Sequence, residues 1–468
     1  MPSMTQQAES FPILLISCYE LGHQPAGIAM PMGFLRRAGY DADSMDVSVE
    51  GFDGDKVRRA YFVGISVPMH TALRLGLLVA REIRKINPYC HICFYGLYAL
   101  LNAEYLLDAV ADSVIGGEFE EALVELVSAV QSQAPIRVAG VSTKQAASDA
   151  VLARLSFGLP DRSKLLPLDH YAGLEFNGER RLAGYVEATR GCLHHCTHCP
   201  IPPVYHGRFF AVPRELVLQD IRNLVAAGAQ HITFGDPDFL NGPGHSLRIT
   251  REMHDEFPTL TFDFTAKIEH ILKDRELIPE FAQLGCVFAV SAVESLSNTV
   301  LDHLDKGHTR DEIFEALRIL NAAGIAMRPS FVPFTPWATI DDYIDILEFV
   351  ESQNLVDHVD PVQYSIRLLV PPGSLLLSRP DTRRWLGRLV QESFTYEWNH
   401  PDPRMDELHK AVSAMVEQAA QRSEDAVETF YRIRELAYAV RGDESPRQSQ
   451  LMEPLRLRPP RLTEAWFC

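Results

Sequence analysis

The chain has 468 residues, 46% hydrophobic and 23% charged, and a formal net charge of −18 from 62 acidic and 44 basic side chains. Such a composition belongs to globular domains with sizeable cores, and so acidic a surface repels phosphate backbones, which excludes nucleic acid as an expected partner. The opening residues MPSMTQQAESFPILLIS lack the basic region of a secretory signal, and the eight cysteines are mostly scattered, as reduced thiols are. No apolar run approaches the roughly 20 residues that span a bilayer. The expectation is a cytoplasmic protein with no membrane partner.

Taken in chain order, PILLIS reads as a buried strand and GIAMPMGFLRRAGY as a helix stopping at Gly39. DADSMDVS and YFVGISVP read as further strands, and HTALRLGLLVAREIRKINP as a helix ended by Asn87 and Pro88. The strand HICFYG, a short helix and ADSVIGGEFEEALVELVSAV complete a βαβ series, which calls for a doubly wound parallel sheet over residues 1–130. Its glycine-bearing and polar turns would form a crevice at the carboxyl ends of the strands, where such sheets bind ligands.

Residues 131–181, rich in Gln, Ser, Ala and Pro, read as a linker. A second α/β series begins at RLAGYVEATRGC and continues through HITFGD, TFDFTAK, CVFAVSAVES, AMRPSFVPF and PVQYSIRLLVPP. Six strands with intervening helices predict a partial (βα)6 barrel over residues 182–378. From 379 to 468 the expectation is a helical extension, with RRWLGRLVQESF and DAVETFYRIRELAYAVRG as helices and an unpatterned, Pro-rich tether from about Arg441.

The densest chemical signal is RGCLHHCTHCP, which places Cys192, Cys196 and Cys199 within eight positions after the first barrel strand. A disulfide framework uses an even count of cysteines, and a structural zinc site uses four ligands. Three thiolates can instead wrap three corners of a 4Fe-4S cluster and leave one iron open for a substrate. A zinc site completed by His194, His195 or His198 remains an alternative at this level. Cys286, in LGCVFAV, reads as a small core residue.

This CxxxCxxC pattern after the first strand of a six-strand barrel resembles the radical S-adenosylmethionine (radical SAM) superfamily, over roughly residues 182 to 375. The resemblance implies a cluster on Cys192, Cys196 and Cys199, with S-adenosylmethionine chelated at the open iron. It further implies a small-molecule substrate and an electron donor such as flavodoxin or ferredoxin. In FGDPDF, Gly235, Asp236 and Asp238 match the turn that binds the methionine amino group; in SAVES, Ser291 and Glu294 match positions near the ribose. Strand alternation directs Lys267, Glu269 and Arg328 to the same mouth, as further cofactor-binding candidates. One departure is His198, where the superfamily usually has an aromatic residue before its third cysteine.

The first domain resembles the cobalamin-binding domain that precedes many such barrels, through SVIGGEFEEALVELV and FYGLYA. The DxHxxG motif that supplies a cobalt ligand is absent; CYELGHQPAG offers His23 at the wrong spacing, and Cys18 and His70 read equally well as packing or loop residues. The end of the chain, LTEAWFC, resembles the stretch ahead of selenocysteine in a group of radical SAM proteins whose tails carry paired cysteine and selenocysteine. On that resemblance Cys468 is a candidate catalytic thiol, and the chain a selenoprotein candidate that natively continues past it. Two other readings stand beside group transfer by a radical SAM enzyme: a cobalamin-dependent methyltransferase on the same barrel, and a non-enzymatic metal-binding sensor.

Overall fold

The computed structural model describes residues 11–446 and 458–463, in two compact units, Met1–His170 and Tyr171–Cys468. In the first unit the chain order is β1 (Ile13–Ser17), α1 (Ala26–Arg37), β2 (Ala42–Asp46), α2 (Gly54–Arg59), β3 (Phe62–Ser66) and α3 (His70–Ile86). It continues with β4 (His91–Tyr95), α4 (Leu97–Leu101), α5 (Ala103–Ala109), β5 (Ser113–Ile115), α6 (Glu120–Gln131) and β6 (Val141–Ser142).

Every residue of β1 and β3 is buried, which explains why both read as unbroken apolar runs with helices on either face. The sheet order is β2-β1-β3-β4-β5-β6, parallel except for β6. This is the doubly wound order whose switch point lies between β1 and β3. Helix α3 ends where the sequence says: the Asn87 side chain donates to the carbonyls of Val57 and Ala60, and Pro88 follows. The unit runs on to His170, well past the expected boundary at residue 130. Val151 bridges Gly117, and Asp161 N–H donates to the Ala29 carbonyl at 2.8 Å. Backbone pairing of this kind leaves no periodic trace, so a segment of Ser, Gln and Pro reads as a linker.

The second unit opens with β7 (Gly173–Phe176), β8 (Glu179–Val186), β9 (Thr189–Gly191), α7 (Pro202–Tyr205), β10 (Phe209–Ala211), α8 (Arg214–Ala226) and β11 (His231–Phe234). Next come α9 (Pro243–Glu256), β12 (Thr261–Ala266), α10 (Ile268–Lys273), α11 (Ile278–Gln283), β13 (Cys286–Glu294), α12 (Asn298–Leu304) and α13 (Arg310–Ala323). The unit closes with β14 (Ala326–Phe331), α14 (Ile340–Ser352), β15 (Leu386–Val390), β16 (Thr395–Trp398), α15 (Pro403–Arg422), α16 (Ala426–Arg441) and β17 (Arg461–Leu462). Strands β8, β11, β12, β13 and β14 are parallel neighbours, and β7 and then β17 extend the β8 edge antiparallel. The half-barrel is packed by phenylalanines: Phe239 is fully buried, with ring centroids 4.5 Å from Phe234 and 5.2 Å from Phe264.

Three expectations change here. The expected sixth barrel strand begins as a 3-10 turn, Pro361–Ser365, where the Gln363 side chain accepts the Phe331 N–H at 3.0 Å, and its pairing is reduced to one parallel bridge, Phe334 with Arg367, beyond the end of β14. RRWLGRLVQESF is not a helix: β15 pairs antiparallel with β16, and Phe394 makes the turn at φ 54. Part of the expected tether is ordered pairing, since Arg461 and Leu462 add to β7 and Arg461 Nε lies 2.7 Å from Glu175 Oε2. An open sheet edge recruits backbone whatever its side chains. Strand β17 therefore runs in the direction of β8, toward the end of the barrel that carries the three cysteines. Among the described residues, no helix is long and apolar enough to cross a membrane.

Candidate functional site

After β8 the chain turns into β9, which pairs with β10, and Gly191 releases the cysteine loop at φ +75. A Cβ at Gly191 would lie 2.4 Å from the Arg208 carbonyl oxygen, so glycine is required there. The loop is bolted at its centre. Thr197 N–H donates to the Leu304 carbonyl at 3.0 Å, Thr197 Oγ1 to the His303 carbonyl at 2.8 Å, and Ser374 Oγ to the Thr197 carbonyl at 3.3 Å.

This holds three free thiols together: Cys192 and Cys196 are buried, Cys199 is half-buried, and the three interact electrostatically. Burial pushes the Cys199 thiol up to about 12 and raises Cys192 as well, so a bound cation must displace their protons. Beside them, Asn241 Oδ1 lies 3.9 Å from Cys192 Sγ while its buried Nδ2 has no hydrogen-bond partner. Three clustered thiols and one orphaned amide donor fit a sulfide-bearing cluster, whose sulfurs accept hydrogen bonds. A zinc site loses His194 as a fourth ligand, because Lys267 and His270 engage both of its ring nitrogens, whereas Glu294 engages His198 at Nε2 alone.

His194 belongs to a chain of contacts along the barrel mouth. Lys267 Nζ lies 3.0 Å from His194 Nδ1 and 3.2 Å from Glu269 Oε2; His194 Nε2 lies 3.2 Å from His270 Nε2; His270 Nδ1 lies 2.9 Å from Asp238 Oδ2. Ligand atoms of His194, Asp238 and His270 fall within 4.8 Å of one another, a geometry that invites a metal reading. The lysine argues against it. An ammonium only donates, so it takes the Nδ1 lone pair and leaves the His194 proton on Nε2, where a metal would have to bind. Burial, and then Lys267, hold the His194 imidazole down to about 4 and hence neutral at pH 7.

On the other side of the loop, Glu294 ends β13 with a left-handed backbone, φ 63, a costly conformation for a non-glycine residue. Its Oε1 accepts from Lys306 Nζ at 3.0 Å and lies 3.3 Å from His198 Nε2. Burial would raise this carboxyl, but Lys306 and His198 outweigh burial and hold it well below the usual carboxylate range. The same pairing raises Lys306 against the effect of its own burial.

The expected site residues therefore divide. Asp238, Lys267, Glu269 and Glu294 gather around the cysteine loop, although Lys267 and Glu269 sit at the start of α10 rather than on a strand. Three others are engaged by structural neighbours. Ser291 Oγ donates to the Ala266 carbonyl at 2.9 Å, and Arg328 pairs with Asp360 at 2.8 Å. Asp236 accepts from Ala188 N–H at 3.0 Å and Thr189 Oγ1 at 2.5 Å, closing the turn between β8 and β9. Gly235 is hemmed in by Tyr185, 1.9 Å from where a Cβ would stand. Sequence reasoning missed His270, Asn241 and Lys306; the only local signal was Lys306 beside a glycine in DKGH. Cys468 lies outside the described residues.

Burial raises the Asp236 carboxyl to about 7, above its unfolded value near 4, so folding favours its protonated form. Its contribution is complete below about pH 4 and is lost as pH rises through 7, a swing of about 4 kcal/mol. Asp236→Asn should flatten the stability profile over that window, measured by urea unfolding at several pH values. A slope equal to that of the parent chain would refute the assignment.

Residues 186–350 match the family model described as the radical SAM superfamily. The chain carries a radical SAM domain. Enzymes of that superfamily work with a 4Fe-4S cluster and S-adenosylmethionine. A hopanoid C-3 methylase of Methylococcus capsulatus is 23% identical over 67% of this chain and 62% of its own length. A methyltransferase of Pyrococcus horikoshii is 22% identical over 69% of each. The chain thus spans about three-fifths of the methylase.

Among solved structures, the cobalamin-dependent radical enzyme OxsB covers 88% of this chain and 67% of its own at a TM-score of 0.70 and 16% identity. The methyltransferase TsrM of Kitasatospora setae, solved with cobalamin and a 4Fe-4S cluster, covers 74% and 70% at a TM-score of 0.59 and 16% identity. At these identities the likeness is one of fold.

Proposed function

We propose that this radical SAM enzyme uses cobalamin to transfer a methyl or related group to a small-molecule substrate. The observation that carries the reading is the thiol cluster of Cys192, Cys196 and Cys199 beside the orphaned Asn241 amide. These cysteines would hold three irons and leave the fourth for S-adenosylmethionine. When bound, cluster and S-adenosylmethionine together supply the electron and the sulfonium for carbon–sulfur cleavage. Asp238, Lys267 and Glu269 stand at the mouth as partners for an amino-acid group. The electron would come from outside, from a carrier of the flavodoxin or ferredoxin kind.

For cobalamin the support is the sheet order of the first unit and two features at its carboxyl ends. Ser17 Oγ, closing β1, is buried without a partner, and Gly96, after β4, adopts φ +106. An orphaned hydroxyl and a glycine turn suit a polar ligand lying close to backbone. His23 is buried at 7% exposure, and with DxHxxG absent the cobalt would bind without a protein ligand. A finer part of the proposal is that the Cys468 thiol handles substrate, which the heading of β17 toward the cysteine end supports.

The test is anaerobic purification followed by assay of iron, sulfide, zinc and cobalt, with S-adenosylmethionine labelled in its methyl group. The expected result is a zinc-free iron–sulfur protein that takes up one cobalamin per chain and moves the label onto it. Zinc in place of iron would overturn the enzyme reading of the cysteines, and failure to retain cobalamin would remove the methyl-transfer reading. Label or adduct on the C-terminal peptide, absent in Cys468→Ser, is the outcome the thiol role requires.

A further inference from the structure

The proposed cluster ligands do not stand alone in their pocket. Lys306 is 3% exposed by side chain, and its ammonium meets the Glu294 carboxylate at 3.0 Å. Its backbone leaves little freedom. Asp305 and Gly307 both adopt left-handed conformations, φ 52 and 71, and Lys306 N–H donates to the Leu301 carbonyl at 3.1 Å, closing the end of α12. A Cβ at Gly307 would lie 2.8 Å from Glu269 Oε2, so the turn is packed against the mouth. The same helix end holds the cysteine loop, through the Leu304 and His303 carbonyls on Thr197. One short stretch, residues 303–307, therefore both fixes the loop and inserts a cation beside it.

We infer that the buried ammonium of Lys306 sets the electron affinity of the cluster held by Cys192, Cys196 and Cys199. The inference rests on the cluster reading above and extends it to a residue with no ligand role. Reduction adds one electron to the cluster, with no bond made or broken and no proton taken up. The added charge is spread over the sulfurs. Cys196 and Cys199 are both among the groups whose charge acts on Lys306, and Lys306 is among those acting on Cys199. A fixed cation in a water-poor pocket is weakly screened, and net charge near the sulfurs is one of the terms that set cluster potentials. Lys306 thus stabilises the reduced state. Glu294 opposes it, and at the same time holds the ammonium in place. The two members of the pair act with opposite sign.

The experiment is a redox titration of the reconstituted holoprotein followed by electron paramagnetic resonance, with dithionite as reductant and without S-adenosylmethionine, so that cofactor binding does not enter. Lys306→Met keeps the length of the side chain and removes its charge; the cluster should then reduce at a lower potential, with Lys306→Arg close to the parent. Glu294→Gln should shift the potential the other way. The exposed Lys273→Met should shift nothing. A parent-like potential in Lys306→Met would overturn the inference. If that variant fails to hold iron, Glu294→Gln decides: an upward shift supports the role, and an unchanged or lowered potential refutes it. Failure of the cluster reading is separate, since the parent protein would then bind no iron to titrate.

Discussion

Cys196→Ala should strip the protein of its cluster and abolish reductive cleavage of S-adenosylmethionine. Cys196 is the middle of the three thiols and is 7% exposed. Its neighbours cannot replace it. Among the described residues the other free cysteines, Cys18, Cys90, Cys93 and Cys286, lie away from the loop in sequence, and Cys286 begins the far end of β13. His195 is exposed, and His198 is held by Glu294. Losing one of three thiolates leaves an iron without a protein ligand, and a cluster held at two corners only should be lost from the protein. The measurement is iron and sulfide per chain together with formation of 5′-deoxyadenosine or demethylated cofactor. A variant that retains both iron and cleavage would end the assignment. Secondary structure by circular dichroism should be unchanged, since the loop is pinned through Thr197 rather than through the thiols.

The second large effect is on stability. Phe239→Ala should cost about 3–5 kcal/mol, the range for truncating a fully buried aromatic side chain. Phe239 is 0% exposed and its ring meets those of Phe234, Phe264 and Phe281 at 4.5, 5.2 and 6.0 Å, so surrounding strands cannot collapse into the gap without breaking other contacts. For a domain of this size the loss corresponds to a fall of roughly 10 °C in Tm. The residue also stands between Asp238, which caps its turn through Leu240 N–H at 3.0 Å, and Asn241 beside Cys192. Cluster occupancy should therefore decline with stability, and a second Cys-loop-independent readout, calorimetry of the apoprotein, separates the two. A Tm within about 2 °C of the parent would show that the cavity is tolerated and the packing argument misplaced.

Read alone, the sequence determined the parts of this protein that repeat locally. The buried runs of β1, β3 and β11, the Asn87–Pro88 stop of α3 and the cysteine spacing are each decided by side chains a few positions apart, where hydrophobic period, proline sterics and thiol chemistry act. The tertiary structure decided what depends on partners distant in the chain. The Gln363 side chain accepts from Phe331, the last residue of β14, where a sixth strand is expected, and the hairpin of β15 and β16 takes over a stretch with helical spacing, with Trp398 Nε1 donating to the Leu368 carbonyl at 2.9 Å. Arg461 and Leu462 pair with β7 across nearly the whole unit because an unpaired strand edge binds backbone regardless of side-chain pattern. The site divides in the same way. Its cysteines are legible because all three thiols lie on one loop, whereas Lys306, His270 and Asn241 meet that loop only once α12, α10 and the turn after β11 are folded around it. A carboxylate's role is settled by whichever group reaches it first: Thr189 takes Asp236, the Lys267 N–H takes Asp238 and Lys306 takes Glu294, and no spacing along the chain encodes those encounters.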